Sequence, residues 1–326
     1  MKASELGERK LIELLTRGLY TNKRVLAGAG EDDAALISFG GKELVAKSDV
    51  MFSSTHFPKG MKPEQIGRKV AVANISDLAA MGASPLATLF SFGIPPQFDV
   101  NKLRGIMRGI NQVCMEYNAP LVGGDTKKAK ELSICGIALG EIGRGEAIRR
   151  CNARAGDVVA VTGEIGNAAL GLMILLKGMK SGRYPKLVNA FLNPSARVKE
   201  GRAIAKCRVG ATGMDITDGL LFSAGEIARM SGVCLSLDSG RIPLSKEARK
   251  FAKEHNVKEN YLLNNGEDYE LIVSIRRESF EKVKSRVEDA GGALFEIGKA
   301  LRGRGVLLDG KKIDAVGWDS LKSSLA

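Results

Sequence analysis

VANISDLAAMGASPLATL, residues 72–89, decides how the rest of the chain is read. With the residues from Pro63 onward its first half reads as one helix. Pro63 suits the first helical turn, where a missing N–H costs nothing, and Gly82 suits the stop, so the pattern predicts a helix over 63–81. Within it Asn74 and Asp77 are three residues apart and share a face, while Val70, Ala73 and Leu78 supply apolar contact. A carboxylate on such a stripe is costly unless it is paired or metal-bound. Asp77 is therefore either an internally bridged residue or a ligand.

Working outward, a strand follows at 84–93, then a helix at 99–117, a short strand ending at Gly123 and a strand at 131–142. Upstream lie short apolar runs at 34–39 and 43–48 and a helical pattern over 4–19. This half reads as α+β, with helices covering one face of a sheet. RRCNARAGD, 149–157, is a polar hinge before the apolar strand in DVVAVTG. Helices near 167–178, 195–206, 219–231 and 278–290 and strands near 233–237, 269–275 and 294–299 then repeat the scheme. A chain of 326 residues exceeds the usual single core, and two domains are expected, 1–148 and 149–326.

Composition narrows the class. Hydrophobic residues at 44% and charged residues at 26% are ordinary for a globular protein. The net charge of +12 suits anionic ligands, but with 5% aromatic residues and no stacking motif no specific nucleic-acid partner is expected. Cys114, Cys135, Cys151, Cys207 and Cys234 are odd in number and form no CxxC pair, which favours free thiols in a reducing cytoplasm. MKASELGERK is charged from the start, and runs such as LMILL, 172–176, are too short to span a bilayer.

Acidic clusters recur at turns and strand ends: GEDDAAL (30–36), KSDV (47–50), ISDLAAMG (75–82), VGGDT (122–126) and MDITDG (214–219). Carboxylates so placed can converge on hard divalent cations, which bind oxygen and bridge to phosphates. No GxxxxGK[ST] loop is present, so phosphate charge has to be met mainly by metal held on aspartates. In VGGDT two glycines allow close backbone approach to a phosphate, although many plain turns look the same. In MDITDG, Asp218 either caps the following helix or faces a ligand held at its N-terminus. His56, by itself, reads as a hydrogen-bonded structural residue, Trp318 as a packing residue and Tyr117 as a core residue.

GEDDAAL, SDVMFSSTHF, VANISDLAAMGASPLATL, LVGGDT, MDITDGLL and NGEDYEL occur in the order found in the thiamine-monophosphate kinase family, which the chain resembles from about residue 28 to 275. That family belongs with aminoimidazole ribonucleotide synthetase, selenophosphate synthetase and a hydrogenase maturation factor. The resemblance implies a two-domain α+β fold whose N-terminal sheets pair in a homodimer, and Mg²⁺-assisted transfer of the ATP γ-phosphate to thiamine monophosphate. It implies Asp33, Ser48, Asp49, Asp77, Asp125, Asp215 and Asp218 at metal positions, with Asp125 and Asp218 closest to the chemistry. Gly124, Asp125, Arg150 and Thr217 fall on nucleotide positions, and His56, Glu267 and Trp318 on the acceptor side. Three departures from the family pattern stand out: Glu31 in place of Gly, which puts an extra charge beside the phosphates, Asn264-Asn265-Gly266 in place of a Ser-Gly-Gly run, which bears on the acceptor pocket, and Lys47-Ser48-Asp49 in place of Thr-Thr-Asp or Ser-Thr-Asp. Two other readings stay open: a related ATP-using enzyme with a different small-molecule acceptor, and a non-catalytic nucleotide- or RNA-binding relative.

Overall fold

The structure is a computed structural model that describes residues 3–315 and 317. Six strands form the first sheet: β1 Val25–Ala27, β2 Ala35–Phe39, β3 Lys42–Phe52, β4 Ser84–Ile94, β5 Leu121–Lys128 and β6 Ser133–Gly143. Their order is β1-β2-β3-β6-β4-β5, antiparallel except for β4 and β5. A parallel neighbour needs a crossover, and the helix Val100–Glu116 supplies it. Seven strands form the second sheet: β7 Val158–Val161, β8 Thr212–Asp215, β9 Cys234–Leu237, β10 Leu271–Ile275, β11 Phe295–Leu301, β12 Gly305–Leu308 and β13 Lys311–Ile313. They run in the order β13-β12-β9-β11-β7-β10-β8.

The helix Pro63–Ala80 is buried on all sides over most of its length, which explains why its sequence is rich in Ala and Val and lacks a polar face. It packs on β3 and β6 on one side and on the helix Val198–Lys206 and β8 on the other. One apolar core runs through it, from Leu36, Val45 and Ala138 through Leu78 and Met81 to Val158, Leu271, Val273 and Phe280. Strand β6 alternates without a break: Ile134, Gly136, Ala138, Gly140 and Ile142 are buried, whereas Cys135, Ile137, Leu139 and Glu141 are half-exposed on the opposite face.

The long elements sit where the sequence pattern puts them. Strands β1, β8, β12 and β13 add to those the pattern predicts, and three further features differ. The 4–19 helix breaks at Gly7, whose φ is 79°, into Ala3–Leu6 and Glu8–Leu15. The strand expected to end at Gly123 runs on to Lys128 as the exposed edge of its sheet. Pro185–Leu192, Lys246–Glu254 and Glu259–Asn264 are helices too short for a periodic signal, and they take their stability from burying Leu187, Phe191, Phe251 and Leu262.

Candidate active site

Asp33 precedes β2, Asp77 lies in the last turn of the central helix and Asp215 ends β8. The three are buried, and one carboxylate oxygen from each lies within 4.8 Å of the others. Each comes from a different layer, so only the packing of both sheets on the central helix assembles the cluster. Burial pushes the Asp77 carboxyl well above the usual carboxylate range against the pull of Lys47, and Asp215, Asp49 and Asp33 push it further. Asp215 is raised to about 7, first by burial and then by Asp33. Ser76 Oγ donates to Asp215 Oδ2 at 2.6 Å. Asp33 Oδ2 is buried without a hydrogen-bond partner.

Two basic groups enter this site. Arg150 donates its guanidinium to Asp33 and its N–H to Asp32 Oδ1 at 2.9 Å, while Arg149 pairs with Asp32. Lys47 Nζ stands 3.2 Å from Asp77 Oδ2 and 3.3 Å from Asp49 Oδ1. Asn74 fixes Asp49 by accepting its N–H at 3.1 Å. That contact requires Gly136 opposite, where a Cβ would lie 2.2 Å from Asn74 Nδ2. Ser48, next to Asp49 in an alternating strand, faces the other way, with Oγ 3.4 Å from Cys135 Sγ.

On the far side of Asp215 the MDITDG turn leads into the helix Leu220–Ser231. Its cap is Gly219, and among the described residues no side chain caps it, which leaves the Asp218 carboxylate uncommitted to the helix. Burial raises Asp218 to about 7, with Glu8, Asp215 and Glu267 adding repulsion. NGEDYEL is laid along this turn: Glu267 N donates to Thr217 O at 2.9 Å and Tyr269 N to Ile216 O at 3.0 Å. A Cβ on Gly266 would fall 1.7 Å from Thr217 O, so only glycine fits there. Glu267 Oε2 accepts from Lys69 Nζ at 2.6 Å and from Tyr269 Oη at 3.0 Å. Lys69 is almost wholly buried and also lies 4.1 Å from the centroid of the Phe191 ring. His56 accepts Phe52 N–H at Nδ1, 3.2 Å, and burial lowers its pKa, partly offset by Glu267.

The remaining sequence candidates lie apart. Gly124 is in register with Phe90, Gly136 and Asp49 across four strands, three strand spacings or roughly 14 Å from Asp49. Asp125 is exposed on edge strand β5, where it accepts Thr126 N–H at 2.7 Å and meets Lys127 at 3.4 Å. Tyr117 is a packing residue, accepting Ala196 N–H at 2.9 Å. Trp318 lies outside the described residues. Sequence reasoning did not select Lys47, Lys69 or Tyr269. For Lys47 a signal existed, because residues two apart in a strand share a face and Asp49 was already a candidate.

Residues 31–142 match the AIR synthase related protein, N-terminal domain, and residues 154–310 the AIR synthase related protein, C-terminal domain. The class is therefore a two-domain AIR synthase related protein. Thiamine-monophosphate kinase of Pyrococcus horikoshii is 37% identical over 299 residues, 89% of this chain and 90% of that one. That of Aquifex aeolicus is 32% identical over 323 residues, 98% and 99% of the two chains. A solved structure described as AaThiL complexed with AMPPCP and TMP superposes with a TM-score of 0.87 at 31% identity, covering 98% of this chain and 99% of that one. The chain belongs to the thiamine-monophosphate kinase family. Hydrogenase maturation protein HypE in complex with ATP, at 18% identity and a TM-score of 0.68, shares the fold. Among the described residues no helix is long and apolar enough to cross a membrane.

Proposed function

We propose that this chain transfers the γ-phosphoryl group of ATP to thiamine monophosphate, forming thiamine diphosphate by direct displacement. The observation that carries the phosphoryl-transfer reading is the buried Asp33, Asp77 and Asp215 cluster. The orphaned Asp33 Oδ2, the all-oxygen donor set and the raised Asp77 and Asp215 fit a hard divalent cation, and the family resemblance points to Mg²⁺. Asp33, Asp49, Asp77, Asp215 and Asp218 would hold it, whereas Ser48 on the outer face and Asp125 on the edge of the first sheet lie too far away for the same ion and would serve a separate one. When bound, Mg²⁺ supplies neutralisation of phosphate charge.

The chain's own residues do the positioning. Arg150, Thr217 and the Gly124–Asp125 edge would take the nucleotide, which then lies along the sheet toward the cluster. His56, Glu267 and Trp318 would take the acceptor, with Lys69 and Tyr269 holding the Glu267 carboxylate in one place. No strong protein base is needed, since phosphoryl transfer asks mainly for alignment and electrostatic stabilisation. The acceptor assignment rests on family membership and on a neighbour described as holding AMPPCP and TMP. A different acceptor is the second reading. It draws on Asn264, which packs against Gly219 of the MDITDG turn and whose buried Oδ1 has no partner among the described residues.

The half-exposed apolar face of β3 and β6, with Val50 at 46% and Phe52 at 39% exposure, supports a homodimer in which a second copy covers it. The five free cysteines suit a cytoplasmic setting. The deciding test follows ADP and product together across thiamine, thiamine monophosphate and other phosphorylated heterocycles. Thiamine diphosphate formed in step with ADP is expected. ADP with another product moves the reading to another acceptor, and no ADP with any of them ends it.

A further inference from the structure

Strand alternation delivers Lys47 into the acidic cluster. Val45, Lys47, Asp49 and Met51 share the face of β3 that packs on the central helix; Val45 and Met51 are buried, and Lys47 is in register with buried Ala138 of β6. The stem is thereby fixed and the ammonium is held at 3.2 Å from Asp77 Oδ2 and 3.3 Å from Asp49 Oδ1, with the side chain 23% exposed. An ammonium is a compact point charge that donates and never accepts. Between two carboxylates it stands where a cation shared by them would stand. A divalent ion needs those oxygens at roughly 2.0–2.6 Å, so ion and ammonium cannot hold the same pair together.

We propose that Lys47 is a resident counter-ion that holds Asp49 and Asp77 together in the metal-free chain and competes with one divalent cation for them. The proposal rests on the metal-binding reading above. It makes metal loading in this chain an exchange, in which the lysine yields its carboxylates as the ion enters, and it makes the lysine the charge that offsets their repulsion beforehand.

The test titrates metal-free protein with Mn²⁺, following free Mn²⁺ by electron paramagnetic resonance, and records thermal midpoints without metal for wild type, Lys47→Met and Lys47→Arg. Lys47→Met should bind one more Mn²⁺ per chain, or bind Mn²⁺ at least about tenfold tighter, the scale expected when a like charge a few ångströms away is removed. Its metal-free midpoint should fall, while Lys47→Arg keeps the wild-type midpoint. Lys47→Met protein that folds only with Mn²⁺ supports the same conclusion. Protein that folds in neither condition overturns it, because the lysine then serves the fold itself. Unchanged Mn²⁺ number and affinity also overturn it. No Mn²⁺ binding by wild type removes the metal-site reading instead.

Discussion

Asp157 and Glu270 are as buried as Asp77 and Asp215, at 3%, 3%, 5% and 2% exposure, yet the chain treats the two pairs in opposite ways. Both oxygens of Asp157 take Arg276 Nη1 at 2.6 Å, and Arg154 N and Ser274 Oγ complete its set. Glu270 receives two guanidinium nitrogens of Arg197 and Thr162 Oγ1 at 2.7 Å. Such carboxylates are finished structural parts. In the cluster, by contrast, four acids, Asp33, Asp49, Asp77 and Asp215, meet two basic side chains, Lys47 and Arg150, and one oxygen has no partner. Burial alone therefore does not mark a ligand. Nor does a single orphaned oxygen, since Glu43 Oε2 is also buried without a partner; what sets the cluster apart is several uncompensated acids converging on one point, where an added cation would be shared.

The largest effect expected from this contrast is functional on one side and structural on the other. Asp77→Asn should cut turnover by on the order of 10³-fold while leaving the metal-free midpoint unchanged or slightly raised, since it removes repulsion among close acids. Glu270→Gln should instead cost about 3 kcal/mol of stability by leaving Arg197 only the more distant Glu200, 3.9 Å away, as an ionic partner, with metal binding retained. Paired turnover and thermal-unfolding measurements decide it. If Asp77→Asn behaves like Glu270→Gln, losing stability and keeping turnover, the two kinds of buried acid are the same kind.

The contrast was only partly legible in the sequence. GEDDAAL, ISDLAAMG and MDITDG mark the three acids because each places Asp at a turn or on an apolar stripe, where an unpaired charge is conspicuous. The long helices were legible for local reasons too, Pro63–Ala80 from its proline start and glycine stop and Val100–Glu116 from its apolar period. The compensation was not. Lys69 and Glu267 are 198 residues apart and meet only because both sheets close on the central helix. Asp157 and Arg276 are 119 apart and are joined across the second sheet. Whether an acid is finished or waiting depends on such distant partners, so motif reading finds candidates and the fold sorts them. Asp125 and Ser48 show the limit from the other side, since their motifs are local while their faces of the sheet look away from the cluster.

A smaller effect is expected where backbone contact sets the acceptor wall. Gly266→Ala would drive a Cβ into the Thr217 carbonyl, which cannot swing aside as a side chain could. A loss of roughly 2–3 kcal/mol is expected, with a raised KM for the acceptor because Glu267 shifts with the loop. Gly136→Ala meets the Asn74 amide instead, a side chain that can give way, and about 1–2 kcal/mol is expected together with weaker Mn²⁺ binding as Asp49 loses its anchor. Urea unfolding with acceptor and Mn²⁺ titrations separates the two. Equal losses in both variants and no ligand-specific change would mean that neither glycine positions the site.

The smallest effect sharpens the comparison most, because it reads the uncompensated acids directly. In the metal-free fold Asp215 and Asp218 are raised to about 7, whereas in the unfolded chain both return to the ordinary value near 3.8. Between pH 4 and 7 the folded chain therefore holds protons that the unfolded chain has lost, and these two groups lower stability as pH rises through that window. Below pH 4 both states are protonated and above about 7 both are ionised, so the slope from these groups vanishes at either end. Mg²⁺ competes with those protons, and the midpoint gain on adding it should grow from pH 5 to 7.5, by on the order of a few degrees for a chain of this size. Taking the difference with and without Mg²⁺ at each pH cancels the finished acids, whose partners do not change. Asp215→Asn with Asp218→Asn should flatten the growth, and Glu270→Gln should leave it intact. A gain that is the same at every pH would mean that the cluster is already ionised without metal, and that Lys47 and Arg150 compensate it as fully as Arg276 and Arg197 compensate their partners.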